Sequence, residues 1–403
     1  MYRRMCDSGN SAPDIVFIRA MATSQDFSDD PRIRTALARS TQLGEIGVAV
    51  AAYYKGKLIV NAAAGSADLE SKVSAQTSTL WPVFSVTKGV TALAIHMQAE
   101  RGLLELSAPV SKYWPGFAAN GKQDITIEQC LSHRAGIPRM PTGVTPELMA
   151  DWDWMVEQIA NYRPFSPGTC NAYHVLVWGW ILGEVVRKTD PKKSGFNDYV
   201  REEICRPLGI EDFHLGVPDS ELPRVAKLQG GNSFTIVDDY NISPKEVFPG
   251  SDVHNLRVVQ QCVDPGAGAI TTAEAVARIS ALIANGGSLD GVRILSQATV
   301  AGFNRFREGA YDADKVLMIP VWFGAAGYWL GGEIDASDPL VGDHRDIVVS
   351  PGAGGSMAWA DFRDCLAVAF CHNNMDSVAV MDHERTLAPM VRTIREIVDE
   401  IVI

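Results

Sequence analysis

Hydrophobic positions first recur with a helical period after residue 30. Asp30 and Pro31 supply an N-cap and a first helical residue, Ile33, Ala36, Leu37 and Ser40 fall on one face, and Gly44 stands where a helix would end. The spacing predicts an amphipathic opening helix. Two β-rich runs follow at 46–53 and 58–64, and the dipeptide Lys55-Gly56 between them predicts a hairpin. Near the other end, 357–360 and 365–371 flank the polar stretch 361–364 and predict a second hairpin. Leu387, Met390, Val391, Ile394, Ile397, Val398 and Ile401 then line up as one stripe of a terminal helix.

Between these ends the pattern turns helical. Residues 85–101 carry Val86, Val90, Leu93 and Met97 on one face and stop at Gly102, and 174–188 predicts another helix. Thr271 with Glu274 reads as the capping box of a third, which bears Val276, Ile279, Leu282 and Ile283. Residues 1–28 have no sustained period and are expected to form a loosely held tail. The simplest packing is α+β: residues 29–84 and 270–403 build one antiparallel sheet domain layered by helices, residues 85–269 form a mostly helical domain, and a cleft lies between them.

Composition narrows the class without naming it. Over 403 residues, 46% hydrophobic, 21% charged and a mean hydropathy of zero describe an ordinary folded chain. The formal charge is −12 and no segment clusters Lys and Arg, so nucleic-acid binding is not expected. No apolar run reaches the length of a membrane span, and no secretory leader is evident, so a cytoplasmic location is expected. Seven cysteines are scattered without a CxxC pair, and His96, His133, His174, His214, His254, His344, His372 and His383 show no ligand spacing. Neither a metal nor a cofactor is expected. Oligomeric state is left open.

Three segments carry candidate chemistry. Ser85-Val86-Thr87-Lys88 is the one place where a serine has a lysine three residues later, at the start of a helix where positions i and i+3 stack on one face. A serine hydroxyl needs a neighbour to take its proton, and a lysine whose pKa is lowered by burial can do so where an arginine cannot. The turn Pro167-Gly168 precedes Tyr173, whose phenol could share that proton. Ser350-Pro351-Gly352-Ala353-Gly354-Gly355-Ser356 allows close backbone approach at the mouth of the closing hairpin and lacks the spacing of a nucleotide loop. No GxSxG elbow occurs, which removes the α/β-hydrolase route to ester chemistry.

In order and spacing these pieces resemble the serine β-lactamase-like superfamily, in its class C-like branch that includes family VIII carboxylesterases. The resemblance spans nearly all of residues 30–400 and includes Leu131-Ser132-His133-Arg134-Ala135-Gly136-Ile137-Pro138, the run from Tyr173-His174 through Gly179-Trp180 to Arg187, 213–218 and 291–295. It implies that Ser85 is the acylated nucleophile, that Lys88 and Tyr173 handle its proton, and that the Ser85 and Ala353 N–H groups form an oxyanion hole. Two departures stand out. Val175 replaces the asparagine that β-lactamases of this branch carry two residues after the tyrosine, and Ser350-Pro351-Gly352 replaces their Lys-Thr-Gly. The lost ammonium and amide point away from penicillins, toward a small neutral ester or related acyl substrate bound near Ser350, Gly352 and Val175. His174 is a candidate at the site's rim, and His133 is expected to hold structure. The rival readings are acyl transfer on the same machinery, weak β-lactamase activity, and a non-catalytic binding protein of the same fold.

Overall fold

A computed structural model describes residues 26–231, 242–318, 321–331, 341–342, 344–376 and 388–402. Of the expected tail, all but its last three residues lie outside that set, as does Leu387 of the terminal stripe.

The opening helix α1 (Pro31–Gln42) starts as its sequence dictates. The Asp30 carboxylate accepts the Arg32 N–H, Pro31 costs no hydrogen bond at the first turn, and Ile33, Ala36, Leu37 and Ser40 are the buried residues. Strands β1 (Gly47–Tyr54) and β2 (Lys57–Asp68) then form the hairpin, with Lys55 at φ 46° and Gly56 at φ 75° in the left-handed conformations of a tight two-residue turn. With β3 (Val73–Ser74), β4 (Trp329–Leu330), β5 (Ile347–Pro351), β6 (Met357–Asp361) and β7 (Leu366–His372), they make an antiparallel sheet in the order β3-β2-β1-β7-β6-β5-β4. The two ends of the chain meet at its centre, where Ala51 faces Ala369 and Tyr53 faces Ala367.

Both faces of the sheet are covered, so β1 is buried at all eight positions. On one side Val48, Val50 and Ala52 pack with Ile33 and Leu37 of α1 and with Met390, Ile394 and Ile397 of the terminal helix Ala388–Val402. On the other, Ala49, Ala51 and Tyr53 join a larger core with the helix Thr87–Glu100, here α2, and two further helices, α3 (Val177–Thr189) and α4 (Ala273–Ala284). Among the described residues no helix is long and apolar enough to cross a membrane.

Three local expectations shift. Helix α2 begins at Thr87, because Phe84–Val86 form a 3-10 turn, and it is buried all round from Thr87 to Gln98 rather than on one stripe. Helix α3 begins at Val177, three residues later than expected, because 171–174 are held in an irregular path by other segments. The cap of α4 is Thr272, whose hydroxyl accepts the Ala275 N–H, while Thr271 ends a strand and donates to Asp212 O and Glu274 bonds the Asn61 amide instead. A capping signature gives way when its two side chains find better partners across the fold.

Candidate active site

The segment that presents Ser85 is fixed from both sides. Trp81–Pro82 pairs antiparallel with Ala269–Thr271, and Val83 N–H donates to Ala269 O. Phe84 sits at φ 48°, a conformation that costs a non-glycine residue about 1–3 kcal/mol and persists only where its surroundings hold it. Here its ring is buried beside His254, 4.6 Å between centroids, with Leu228 and Met375. The Thr87 hydroxyl closes the turn, donating to Phe84 O and accepting the Ala269 N–H. Ser85 is thereby turned out at the head of α2, where helix N–H groups favour developing negative charge.

One helical turn on, Lys88 Nζ lies 2.9 Å from Ser85 Oγ, 2.8 Å from Val175 O and 2.9 Å from Gly266 O. Carbonyl oxygens only accept, so two of the amine's hydrogens are committed to Val175 and Gly266. The remaining tetrahedral direction points at the serine, and it carries a hydrogen when the amine is charged and a lone pair when it is neutral. Burial holds Lys88 well below the usual ammonium range, with the attraction of Asp264 opposing it. Tyr173 comes to the same pair: Nζ is 5.2 Å from the centre of its ring, and Ser85 acts to lower the phenol's pKa. Burial outweighs that influence and pushes the phenol's pKa up, so the tyrosine keeps its proton. The hydroxyl, amine and phenol from two distant stretches of chain share one buried junction.

Tyr173 is positioned by residues that no local pattern connects to it, among them His133, expected to hold structure. Asp314 Oδ1 accepts its N–H at 2.9 Å, along with those of Val316 and Leu317. Asn171 accepts from Arg134 and donates to Gly309 O and Asp312 O, which ties the same loop to the same segment. His133 carries the other side: its Nδ1 accepts the His174 N–H at 2.9 Å, and its ring lies 4.4 Å from that of Tyr173. No spacing rule links Asp314 to a tyrosine 141 residues earlier.

A beta-lactamase family model matches residues 32–389. The chain belongs to the beta-lactamase family. It is 32% identical over 355 residues to the esterase/beta-lactamase LipL of Mycobacterium tuberculosis, covering 84% of this chain and 79% of LipL. Two solved structures share its fold: a penicillin-binding protein homologue from Caulobacter crescentus (TM-score 0.79, 29% identity, 92% of this chain and 99% of that one) and a family VIII carboxylesterase (TM-score 0.78, 30% identity, 88% and 94%). This beta-lactamase family member is a serine hydrolase.

Within that fold the other expected residues are placed as follows. Gly352 lies against the chain leading into Ser85: a Cβ there would fall 2.3 Å from Val83 O, and its N–H goes to Ser356 O. Ala353 packs beside Phe84. Ser350 presses on Gly89, next to Lys88, at the edge of a small cavity between α2, α4 and the sheet. Val175 meets Lys88 through its carbonyl, while its side chain is buried in the core. His174 is not at the rim. It is 1% exposed, Nδ1 donates to Ala172 O at 2.6 Å and Nε2 accepts the Ile137 N–H at 3.0 Å, so neither ring nitrogen remains for a substrate. Adjacent residues in an irregular stretch point different ways, and adjacency to Tyr173 misled. His344, Asp361 and Asp364 gather at the far end of the β5–β6 hairpin with ligand atoms within 4.8 Å of one another, but Arg395, 3.9 and 3.8 Å from the two carboxylates, already supplies the opposing charge.

Gly179 shows how closely the framework is fitted. A Cβ on it would sit 2.0 Å from Gly266 N, inside the loop whose carbonyl holds Lys88. Alanine normally stabilises a helix by about 1 kcal/mol over glycine. Here the backbone contact reverses the sign: Gly179→Ala is expected to lower the unfolding midpoint in urea and to cut ester turnover at least tenfold, and a more stable, fully active variant would refute the contact's importance.

Proposed function

We propose that this enzyme cleaves carboxyl esters of small neutral acids through an acyl-enzyme on Ser85. The three-acceptor setting of Lys88 carries the reading. Two carbonyls fix the amine so that its remaining position faces the serine proton, and burial favours the neutral, accepting form. The Ser85 proton passes to Lys88 as Oγ bonds the ester carbon. The oxyanion is held by the Ser85 and Ala353 N–H groups, at the head of α2 and beside Phe84. As the tetrahedral intermediate collapses, the leaving alkoxide takes the Tyr173 proton and the lysine ammonium restores it. Water then repeats the sequence on the acyl-enzyme, and an alcohol in its place would give acyl transfer.

The substrate class follows from what surrounds the junction. Ser350 and Val175 offer no ammonium and no side-chain amide where a β-lactam's carboxylate and side-chain amide would need them. A lost hydrogen bond to a charged group is worth about 1.5–3 kcal/mol, or roughly 10- to 100-fold in rate. LipL, named for both activities, and the family VIII carboxylesterase support an ester as substrate. Short p-nitrophenyl esters and nitrocefin, compared by turnover and by intact-protein mass, test the reading. Esters are expected to exceed nitrocefin at least tenfold in kcat/KM and to leave a transient acyl mass; nitrocefin turnover equal to that of the esters would overturn it.

A further inference from the structure

Behind Lys88, on the side away from the serine, the loop 263–268 joins a short helix to the strand Ala269–Thr271. Its one charged residue, Asp264, is 2% exposed. The carboxylate does not emerge toward a surface cation. Its Oδ1 turns back and accepts the N–H of Gly266 at 2.7 Å and of Ala267 at 3.2 Å, and its backbone carbonyl accepts the N–H of Gly268. The turn this makes is what sets the two outward carbonyls of the loop: Gly266 O reaches Lys88 Nζ at 2.9 Å and Pro265 O receives the Thr91 hydroxyl at 2.7 Å. Both of those partners lie on α2, one turn apart. From the opposite side Gly266 is pressed on the entry to α3, where its own Cβ would meet the O of Leu176, the residue before the helix, at 2.6 Å, so the loop cannot relax outward.

We propose that Asp264 is a positioning residue for Lys88: its carboxylate shapes the loop that delivers the Gly266 carbonyl to the amine, and places a negative charge in the wall against which the amine gains and loses its proton. The inference rests on the acyl-enzyme reading above. Its geometric half is the hydrogen-bond pair at Oδ1. Its electrostatic half is that Lys88 and Asp264 are both buried, 4% and 2% exposed, where water screens their charges little.

The groups facing Lys88 support this division. Tyr173 lies across Ser85 and keeps its proton, because burial raises its pKa. His133 and His174, behind the tyrosine, are held neutral by burial, and Arg307 on their far side is 3.9 Å from Asp314. Asp264 is therefore the acidic group that steadies the ammonium, while burial works against it, and the same burial raises Asp264 itself. Removing the charge lowers the proton affinity of Lys88. A base that must be neutral to act is then neutral at lower pH, so the acid limb of the rate profile moves down.

The experiment is the pH dependence of kcat/KM for a p-nitrophenyl ester in the wild type, Asp264→Asn and Asp264→Ala. The amide of Asn keeps an acceptor for Gly266 and Ala267 without the charge, so its acid limb should move to lower pH by about one unit. Ala loses the acceptor as well, and its plateau rate should fall at least tenfold below that of Asn. A coincident or upward-shifted limb in Asn, or equal plateaus in Asn and Ala, would overturn the proposal. A reciprocal measurement does not need either variant to fold: Lys88→Met should raise the pH at which the Asp264 carboxyl titrates by 13C NMR, and an unmoved titration would count against the pairing. Intact-protein mass separates the two levels. If the wild type is acylated on Ser85 while the Asn profile coincides with it, only the role of Asp264 falls; if Ser85→Ala is acylated like the wild type, the acyl-enzyme reading falls first.

Discussion

Ser85→Ala is expected to abolish the covalent adduct with a fluorophosphonate or p-nitrophenyl ester and to lower ester hydrolysis by about 10⁴-fold or more, a loss of about 5 kcal/mol of transition-state stabilisation. The size follows from the chemistry: among the described residues no second hydroxyl is held 2.9 Å from Lys88 Nζ, and without a nucleophile the proton pair has nothing to activate but water. The same change should hardly affect folding. Lys88 keeps the Val175 and Gly266 carbonyls, and the strained turn at Phe84 is held by its ring contacts and by Thr87 rather than by the serine side chain. The check is intact-protein mass after labelling, with circular dichroism to confirm the fold. Equal labelling of wild type and Ser85→Ala would move the nucleophile elsewhere.

Lys88→Met is expected to cost about 10³-fold or more in the acylation rate, measured by single-turnover kinetics at a pH where the wild type is maximal. Methionine approximates the length and volume of the lysine stem but carries no proton. An arginine would overfill a pocket closed by three acceptors and would stay charged. The variant should also lose stability, about 1–3 kcal/mol for each buried carbonyl left without a donor, offset in part by the smaller cost of burying an apolar end. Retained acylation would show that Tyr173 or solvent takes the proton instead. The two variants therefore report on different steps: one removes the attacking atom, the other the acceptor for its proton.

Legibility in the sequence followed the range of the interaction. Helix α1 and the Lys55-Gly56 hairpin were readable because an N-cap, a Pro at the first turn and left-handed turn residues act over two to four positions. The same holds for Ser85 and Lys88, three residues apart on one helical turn. Tyr173 was readable as a candidate from its turn, but its meeting with Ser85 depends on Asp314 and His133, which no local pattern connects to it. The Val263-Asp264-Pro265-Gly266 stretch carries turn dipeptides, though it was not among the turns expected. What it did not reveal is that the turn faces Lys88, 178 residues away in the chain. His174 and Thr271 show the reverse error, where a plausible local role was displaced by backbone partners from other segments, the Ile137 N–H for one and Asp212 O for the other.

The sequence by itself determined the continuous apolar runs that let both faces of the central strands be buried, the helices at either end, and the side chains available for acyl chemistry, because periodicity and residue type are properties of the chain before it folds. Only the tertiary structure decided which of those side chains act together. An amine becomes a base here because folding encloses it, gives two of its hydrogens to carbonyls from Val175 and Gly266, and sets a carboxylate behind it. Those partners come from two segments far along the chain from α2, and desolvation and proximity do not exist until the segments meet.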